Sequence, residues 1–190
     1  MTLSRITLVA LLFVVVATPA TAADDILDAI DQARKAYQAG DMANAKQQLD
    51  VASQLIGQKN AEGFAALLPA PMPGWKAEKA EAHAVGTAMF GGGSAASRTY
   101  TNAKGDTVDI SITGDSALIM QFAPLLANPG MAGAMGKLIR VKDQRAIQNQ
   151  DGDIMMLVAN KFLVQVQGSA DAASKLAYAQ AVDAAKLSKM

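Results

Sequence analysis

The apolar residues of the chain change their spacing along its length, and each spacing predicts a different element. Two stripes with helical spacing precede residue 57: Ile26, Ile30, Ala33 and Tyr37, then Met42, Ala45, Leu49, Ala52 and Ile56. A period of 3.6 residues indicates amphipathic helices, and Gly40-Asp41 between the stripes is typical of a helix end followed by a new N-cap. The spacing predicts an antiparallel helical hairpin over residues 23–68, with the two stripes facing each other.

Residues 69–75 interrupt the helical pattern. Pro69, Pro71 and Pro73 exclude a helix, and Gly74-Trp75 ends the stretch. We expect an extended junction between two elements, with Trp75 as its anchor in the core. The alternative is a proline-rich ligand for a partner protein.

After Trp75 the apolar period shortens towards two, which is typical of strands. Val108, Ile110 and Ile112 alternate with Asp109 and Ser111. Further short apolar runs begin at residues 138, 145, 154 and 162. Helices are predicted over 116–126 and, as one final helix, after residue 171. Over residues 76–190 we therefore expect an α+β domain, an antiparallel sheet of five to six strands covered on one face by helices.

The first 22 residues have the three parts of an export signal. Arg5 is basic, residues 6–16 are apolar, and Ala20-Thr21-Ala22 is a small-residue cleavage site. As a helix the apolar run would be roughly 17 Å long, too short for a hydrocarbon core of roughly 30 Å. We expect cleavage before Ala23 and export of the mature chain, in which no second apolar run predicts a transmembrane segment.

The composition argues against several classes of function. A formal net charge of zero gives no basic stripe for nucleic acid, and the lack of cysteine excludes thiol catalysis. His83 is the only histidine, and the glycines of residues 90–94 lack the Lys-Ser/Thr of a phosphate loop. The sequence therefore predicts no catalytic residue, no cofactor and no metal site.

The hairpin is similar to a single tetratricopeptide unit. Ala33, Gly40, Asp41, Ala45 and Ala52 lie where such a repeat places its small residues and its turn. Because a lone repeat has two faces and one neighbour, it is either a hairpin packed on its own domain or a protein-docking or self-association arm. The candidate partner contacts are Leu27, Tyr37 and Leu55.

Methionines give a second candidate site. Met120, Met131, Met135 and Met155 fall in the apolar middle of the predicted domain. Together with leucines they are expected to fill the core or to line a pocket for an apolar small molecule. Thioethers are also ligands of copper(I), so copper handling is a further alternative.

Three blocks of sequence resemble a family of exported proteins of Gram-negative bacteria. They are residues 67–75 with Leu-Pro-Ala-Pro-Met-Pro-Gly-Trp, residues 97–100, and residues 158–168 with Val-Ala-Asn-Lys-Phe-Leu-Val-Gln-Val-Gln-Gly. The resemblance implies a periplasmic protein with a tetratricopeptide-like hairpin and a small α+β domain, and it implies no established activity.

The favoured expectation is thus a non-enzymatic periplasmic interaction module with an unidentified protein partner. The alternatives are an apolar carrier, a copper-handling protein, or a hydrolase whose site no motif reveals.

Overall fold

The computed structural model describes residues 24–85, 93–114, 119, 130, 133 and 135–190. The predicted export signal, the glycines at 91 and 92, and nearly all of the helix predicted over 116–126 lie outside these residues. Met120 and Met131 also lie outside them.

Four helices are described over their full length, and each of them begins after an aspartate. The helices are α1 (Asp25–Gln38), α2 (Met42–Leu67), α3 (Ala172–Ala181) and α4 (Ala184–Leu187). The side chains of Asp24, Asp41, Asp171 and Asp183 accept backbone N–H groups of the first turns. These caps satisfy donors that have no partner inside a helix, so the helix starts are fixed by local chemistry.

Helix α2 is one helix of 26 residues that ends at Leu67, within the range predicted for the hairpin. The helix predicted after residue 171 needs correction. The single final helix is instead two, because the chain becomes extended at Val182 and Asp183 caps a new turn.

The strands form one antiparallel sheet. They are β1 (Trp75–Ala77), β2 (Glu81–Val85), β3 (Gly93–Asn102), β4 (Thr107–Gly114), β5 (Lys137–Val141), β6 (Gln144–Gln148), β7 (Ile154–Val158) and β8 (Phe162–Gln167). The order is β1-β3-β4-β8-β7-β6-β5. β2 also pairs with β3, at residues 93–97, whereas β1 pairs with residues 100–102 of the same strand. The α+β prediction is confirmed, but the described residues form eight strands rather than five to six. β1 has only three residues, too few for an alternating pattern to reveal it.

Alternation along the central strands builds the core. Val108, Ile110 and Ile112 of β4 are fully buried and lie opposite residues of β3 and β8 that face the same side. The helices α2 and α3 pack on this side. The Phe64 ring meets Phe162 edge-on at 5.5 Å.

A buried ion pair joins α3 to the turn between β6 and β7. Lys175 is 2% exposed, yet its ammonium lies 2.7 Å from an Asp153 carboxylate oxygen and 2.8 Å from the Asp151 carbonyl oxygen. The pairing compensates for the removal of the charge from water.

Candidate functional site

Alanines form the seam between α1 and α2. Ala29, Ala33 and Ala36 of α1 and Ala45 and Ala52 of α2 are at most 7% exposed. Ala36 and Ala45 lie equally far in sequence from the connecting turn, as do Ala29 and Ala52, so each pair is side by side in the antiparallel hairpin. Such small residues let the two helices approach closely and leave little space between them for larger side chains.

Large apolar residues flank this seam and are exposed to solvent. We call the following set the hairpin apolar face: Leu27, Ile30, Tyr37, Met42, Leu49 and Ile56. Their exposed fractions range from 41% at Ile30 to 64% at Tyr37. An exposed apolar residue is ordinary when it stands alone, but a contiguous set marks an interaction surface.

Helical periodicity places these residues on one side of the hairpin. Tyr37 follows Ala33 by four residues, and Leu49 follows Ala45 by four. At about 100° per residue, each lies about 40° clockwise of its alanine when the helix is viewed from its N-terminus. Because α1 and α2 are antiparallel, the same rotation turns both side chains towards the same face. The side chains of Ile30, Met42 and Ile56 are rotated from the seam by similar angles, and that of Leu27 is rotated by a larger angle.

The prediction that the two apolar stripes face each other is therefore wrong for most of their large members, which are exposed. The alanines of both stripes are buried, and Ile26 is half-buried. The helical pattern identifies an apolar half of each helix, but the side chains that fit between two closely spaced helices are the smallest ones. The alanines at helical spacing were the sequence signal that could have placed the larger residues beside the seam.

The three predicted partner contacts have different positions. Leu27 and Tyr37 are 59% and 64% exposed and belong to the hairpin apolar face. Leu55 is half-buried and lies on another side of α2, outside the hairpin apolar face. Val51 is 41% exposed on the side of α2 opposite the hairpin apolar face, which makes it a control position.

The C-terminal half of α2 anchors the hairpin to the sheet. A Cβ at Gly114 would lie 2.6 Å from the Phe64 ring, so this glycine creates the space that Phe64 occupies. Gly57 also passes close to β2, since a Cβ there would lie 3.0 Å from that of Ala84. With about 1.5 Å of rise per residue, α2 is about 39 Å long, and it presents the hairpin apolar face from a fixed base.

The connecting turn fixes the other end of the hairpin. Gly40 has a φ of 80°, which favours glycine, and the Asp41 N–H donates to the Ala36 carbonyl oxygen at 2.9 Å. The Asp41 carboxylate then accepts the Asn44 N–H at 3.0 Å. The turn thus closes α1 and starts α2 within a few residues.

The proline-rich junction has structural contacts in the core. The carbonyl oxygen of Pro69 accepts hydrogen bonds from the Tyr100 hydroxyl at 2.6 Å and from Arg98 Nη1 at 3.3 Å. Burial raises the pKa of Tyr100, and the nearby Arg98 charge opposes part of that rise. These contacts favour the structural interpretation of the junction over a proline-rich ligand.

Trp75 completes an aromatic cluster at the end of the junction. It is half-buried, and its ring lies edge-on to Tyr178 at 5.3 Å. The Tyr178 hydroxyl accepts the Met72 N–H at 3.1 Å, and burial raises the pKa of Tyr178.

Two of the four predicted pocket methionines share a groove. Met135 and Met155 line a space of about 160 Å³, with Ile147, Asn149, Asp153, Ile154, Gln165 and Gln167 as the other lining residues. Met156, the next residue along β7, is 1% exposed in the core and lies outside the groove. The copper hypothesis stays a prediction, because the other two methionines lie outside the described residues.

Among the described residues, no three His, Asp or Glu side chains form a group that could hold a metal ion. His83 lies exposed on β2. No helix in the described part of the chain is long and apolar enough to cross a membrane.

Comparisons with known proteins gave no relative: no family model, curated protein or solved structure matches the chain. A functional proposal for this protein therefore depends on its own residues.

Proposed function

We propose that this protein is a non-enzymatic interaction module of the periplasm and that the hairpin apolar face docks a protein partner. One observation carries the proposal. Six large apolar side chains, each at least 41% exposed, lie on one side of a hairpin whose own seam is closed by alanines. These side chains keep 41–64% of their surface exposed, and this exposure to water is unfavourable until a partner covers them.

The sequence supports the proposed location. An export signal over residues 1–22 would deliver the chain outside the cytoplasm, and the resemblance to exported proteins of Gram-negative bacteria favours the periplasm. The spacing of small residues in the hairpin resembles a tetratricopeptide unit, a type of module that binds other proteins.

Tyr37 and Leu49 are expected to contribute most of the binding energy. Both are more than half exposed, at 64% and 55%. Tyrosine is enriched among the residues that dominate interfaces, and burying a leucine side chain contributes about 1.5–3 kcal/mol.

The test is affinity capture from the exported fraction with tagged Leu27→Glu, Tyr37→Lys and Leu49→Lys variants. Each new residue is a good helix former, and the charges at positions 27 and 37 suit the dipole of α1. Val51→Lys is the matched control for Leu49→Lys, since it adds the same charge to the opposite side of α2. We expect a partner that the unaltered protein and Val51→Lys retain and the other variants lose. Equal retention by all four variants would contradict the proposal.

The groove around Met135 and Met155 supports a second candidate function, that of a carrier for an apolar small molecule. Its volume of about 160 Å³ is close to that of an apolar cavity of about 150 Å³ that binds benzene. The amides of Gln165 and Gln167 would add polar groups that orient a ligand at its edge.

Benzene titration of protein labelled at the methionine methyl groups tests this second function by NMR. We expect saturable shifts of the Met135 and Met155 methyl resonances, with the core residue Met156 as the unshifted control. Shifts that are uniform and do not saturate would contradict a binding site in the groove.

A further inference from the structure

Resting on the proposed docking function, we propose that one partner of the hairpin apolar face is a second copy of this chain. The two hairpins would pack face to face across a twofold axis that is perpendicular to the helices and passes between the two copies at the level of Leu49. In this arrangement each helix lies antiparallel to its own counterpart, and the two hairpins form a four-helix bundle.

The first argument is the symmetry of the exposed residues. Leu27 and Tyr37 lie five positions to either side of Gln32, and Met42 and Ile56 lie seven positions to either side of Leu49. Gln32 and Leu49 are equally far from the connecting turn, so they lie at one level of the hairpin.

A twofold axis at that level superimposes five of the six residues of the hairpin apolar face on apolar residues. It pairs Leu27 with Tyr37 of the second copy, Met42 with Ile56, and Leu49 with itself, while Ile30 lies level with Arg34. A surface that docks on its own copy must be self-complementary in this way, since both copies use the same patch.

The second argument is the distribution of charge on α1. By helical periodicity, Asp31 and Arg34 are the charged residues of α1 that lie towards the hairpin apolar face. An antiparallel contact between two copies of α1 brings Arg34 of one copy within about one helical turn of Asp31 of the other. A parallel contact would set like charges together, which is unfavourable.

Charges on α2 select the same arrangement. Lys46 and Asp50 border Leu49, and the axis brings Lys46 of one copy within about one helical turn of Asp50 of the other. The alternative stacking, with α1 on α2 of the second copy, would bring Asp31 level with Asp50. Like charges therefore disfavour that alternative.

Sedimentation equilibrium of the purified protein is the first test. We expect a concentration-dependent dimer that weakens with added salt, and we expect Leu49→Lys, which places two like charges on the axis, to raise the dimer dissociation constant at least about tenfold. Val51→Lys should leave the constant unchanged.

Single cysteines then test the geometry, because the chain has none of its own. We expect Leu49→Cys to form a disulfide between copies at least about tenfold faster than Val51→Cys, since a disulfide needs Cα atoms within about 7 Å. Leu27→Cys should crosslink to Tyr37→Cys in a mixture but not to itself, because the two Leu27 positions would be about 15 Å apart along the helices.

A chain that stays monomeric at about 100 µM, or a Leu49→Cys variant that oxidises no faster than Val51→Cys, overturns the proposal of a second copy. Failure of the docking function gives a different result. In that case the Leu49→Lys variant captures every partner that the unaltered protein captures.

Discussion

The Tyr100 hydroxyl lies 2.6 Å from the Pro69 carbonyl oxygen, and this hydrogen bond fastens the proline-rich junction to the centre of the sheet. Tyr100 is fully buried, so the bond is made away from water. Its ring also packs at 4.5 Å from that of Tyr178 on α3. One side chain therefore joins the end of α2, the sheet and the C-terminal helices.

Tyr100→Phe removes this hydroxyl and keeps the ring. Because Pro69 then loses its shortest hydrogen-bond donor, we expect the free energy of unfolding to fall by about 1–2 kcal/mol in urea denaturation. Tyr37→Phe is the control, since Tyr37 is 64% exposed and its hydroxyl is outside the core. Equal urea midpoints for the two variants would contradict a stabilising role for this hydrogen bond.

The stability of the fold should decrease at alkaline pH. Burial raises the pKa of Tyr100 and of Tyr178 above the ordinary value of 10.0, so the unfolded chain loses these protons at a lower pH than the folded one. The contribution is complete below about pH 10 and is lost as the pH rises through the raised folded pKa. Melting temperatures from about pH 8 to 11 should fall less steeply for Tyr100→Phe than for the unaltered protein. Parallel curves would contradict this assignment.

Lys175→Ala should destabilise the protein by about 2–4 kcal/mol, because it leaves Asp153 and the Asp151 carbonyl without their buried partner. Lys186 provides a matched control. It pairs with Asp183 at 3.5 Å, but the two side chains are 72% and 42% exposed. Lys186→Ala should therefore change stability by less than about 0.5 kcal/mol. Similar losses for the two variants in denaturant titrations would contradict the distinction.

Substitutions on the hairpin should separate exposed from packed positions. Tyr37→Lys and Leu49→Lys should change the free energy of unfolding by less than about 0.5 kcal/mol. Leu55→Lys, at a half-buried position, should reduce it by about 1–2 kcal/mol. Differential scanning calorimetry of the three variants makes the comparison. Unfolding caused by Tyr37→Lys would mean that the hairpin apolar face is part of the packed core.

Export predicts a defined N-terminus. Ala20 and Ala22 stand at the −3 and −1 positions of the expected cleavage site, so the mature chain should begin at Ala23. The intact mass of the protein recovered from the periplasm measures this directly. A mass that retains residues 1–22 on a membrane-bound form would contradict the proposed location.

The helical hairpin could be predicted because periodicity and turn residues are local signals. Gly40 and Asp41 mark the turn, and the apolar spacing marks both helices. Which apolar residues become buried was not predictable in the same way, because that depends on how closely two helices approach. Ala36 and Ala45 are buried at the seam, whereas Tyr37 and Leu49 are exposed beside it.

The sheet shows the same limit. The strands β4 and β8 alternate over six or more residues and were recognised. In contrast, β1 has three residues, and its pairing with β3 is a long-range contact that no local pattern records. The groove that Met135 and Met155 share also depends on tertiary structure, since twenty positions separate them in the chain.

Site-specific photocrosslinking in living cells tests the docking of the hairpin apolar face most directly. A photoreactive amino acid replaces Leu49 in one variant and Val51 in another, and the adducts are separated by mass. Docking predicts a strong covalent adduct from position 49, to a second copy or to another protein, and little from position 51. No adduct from position 49, or equal adducts from both positions, would contradict it.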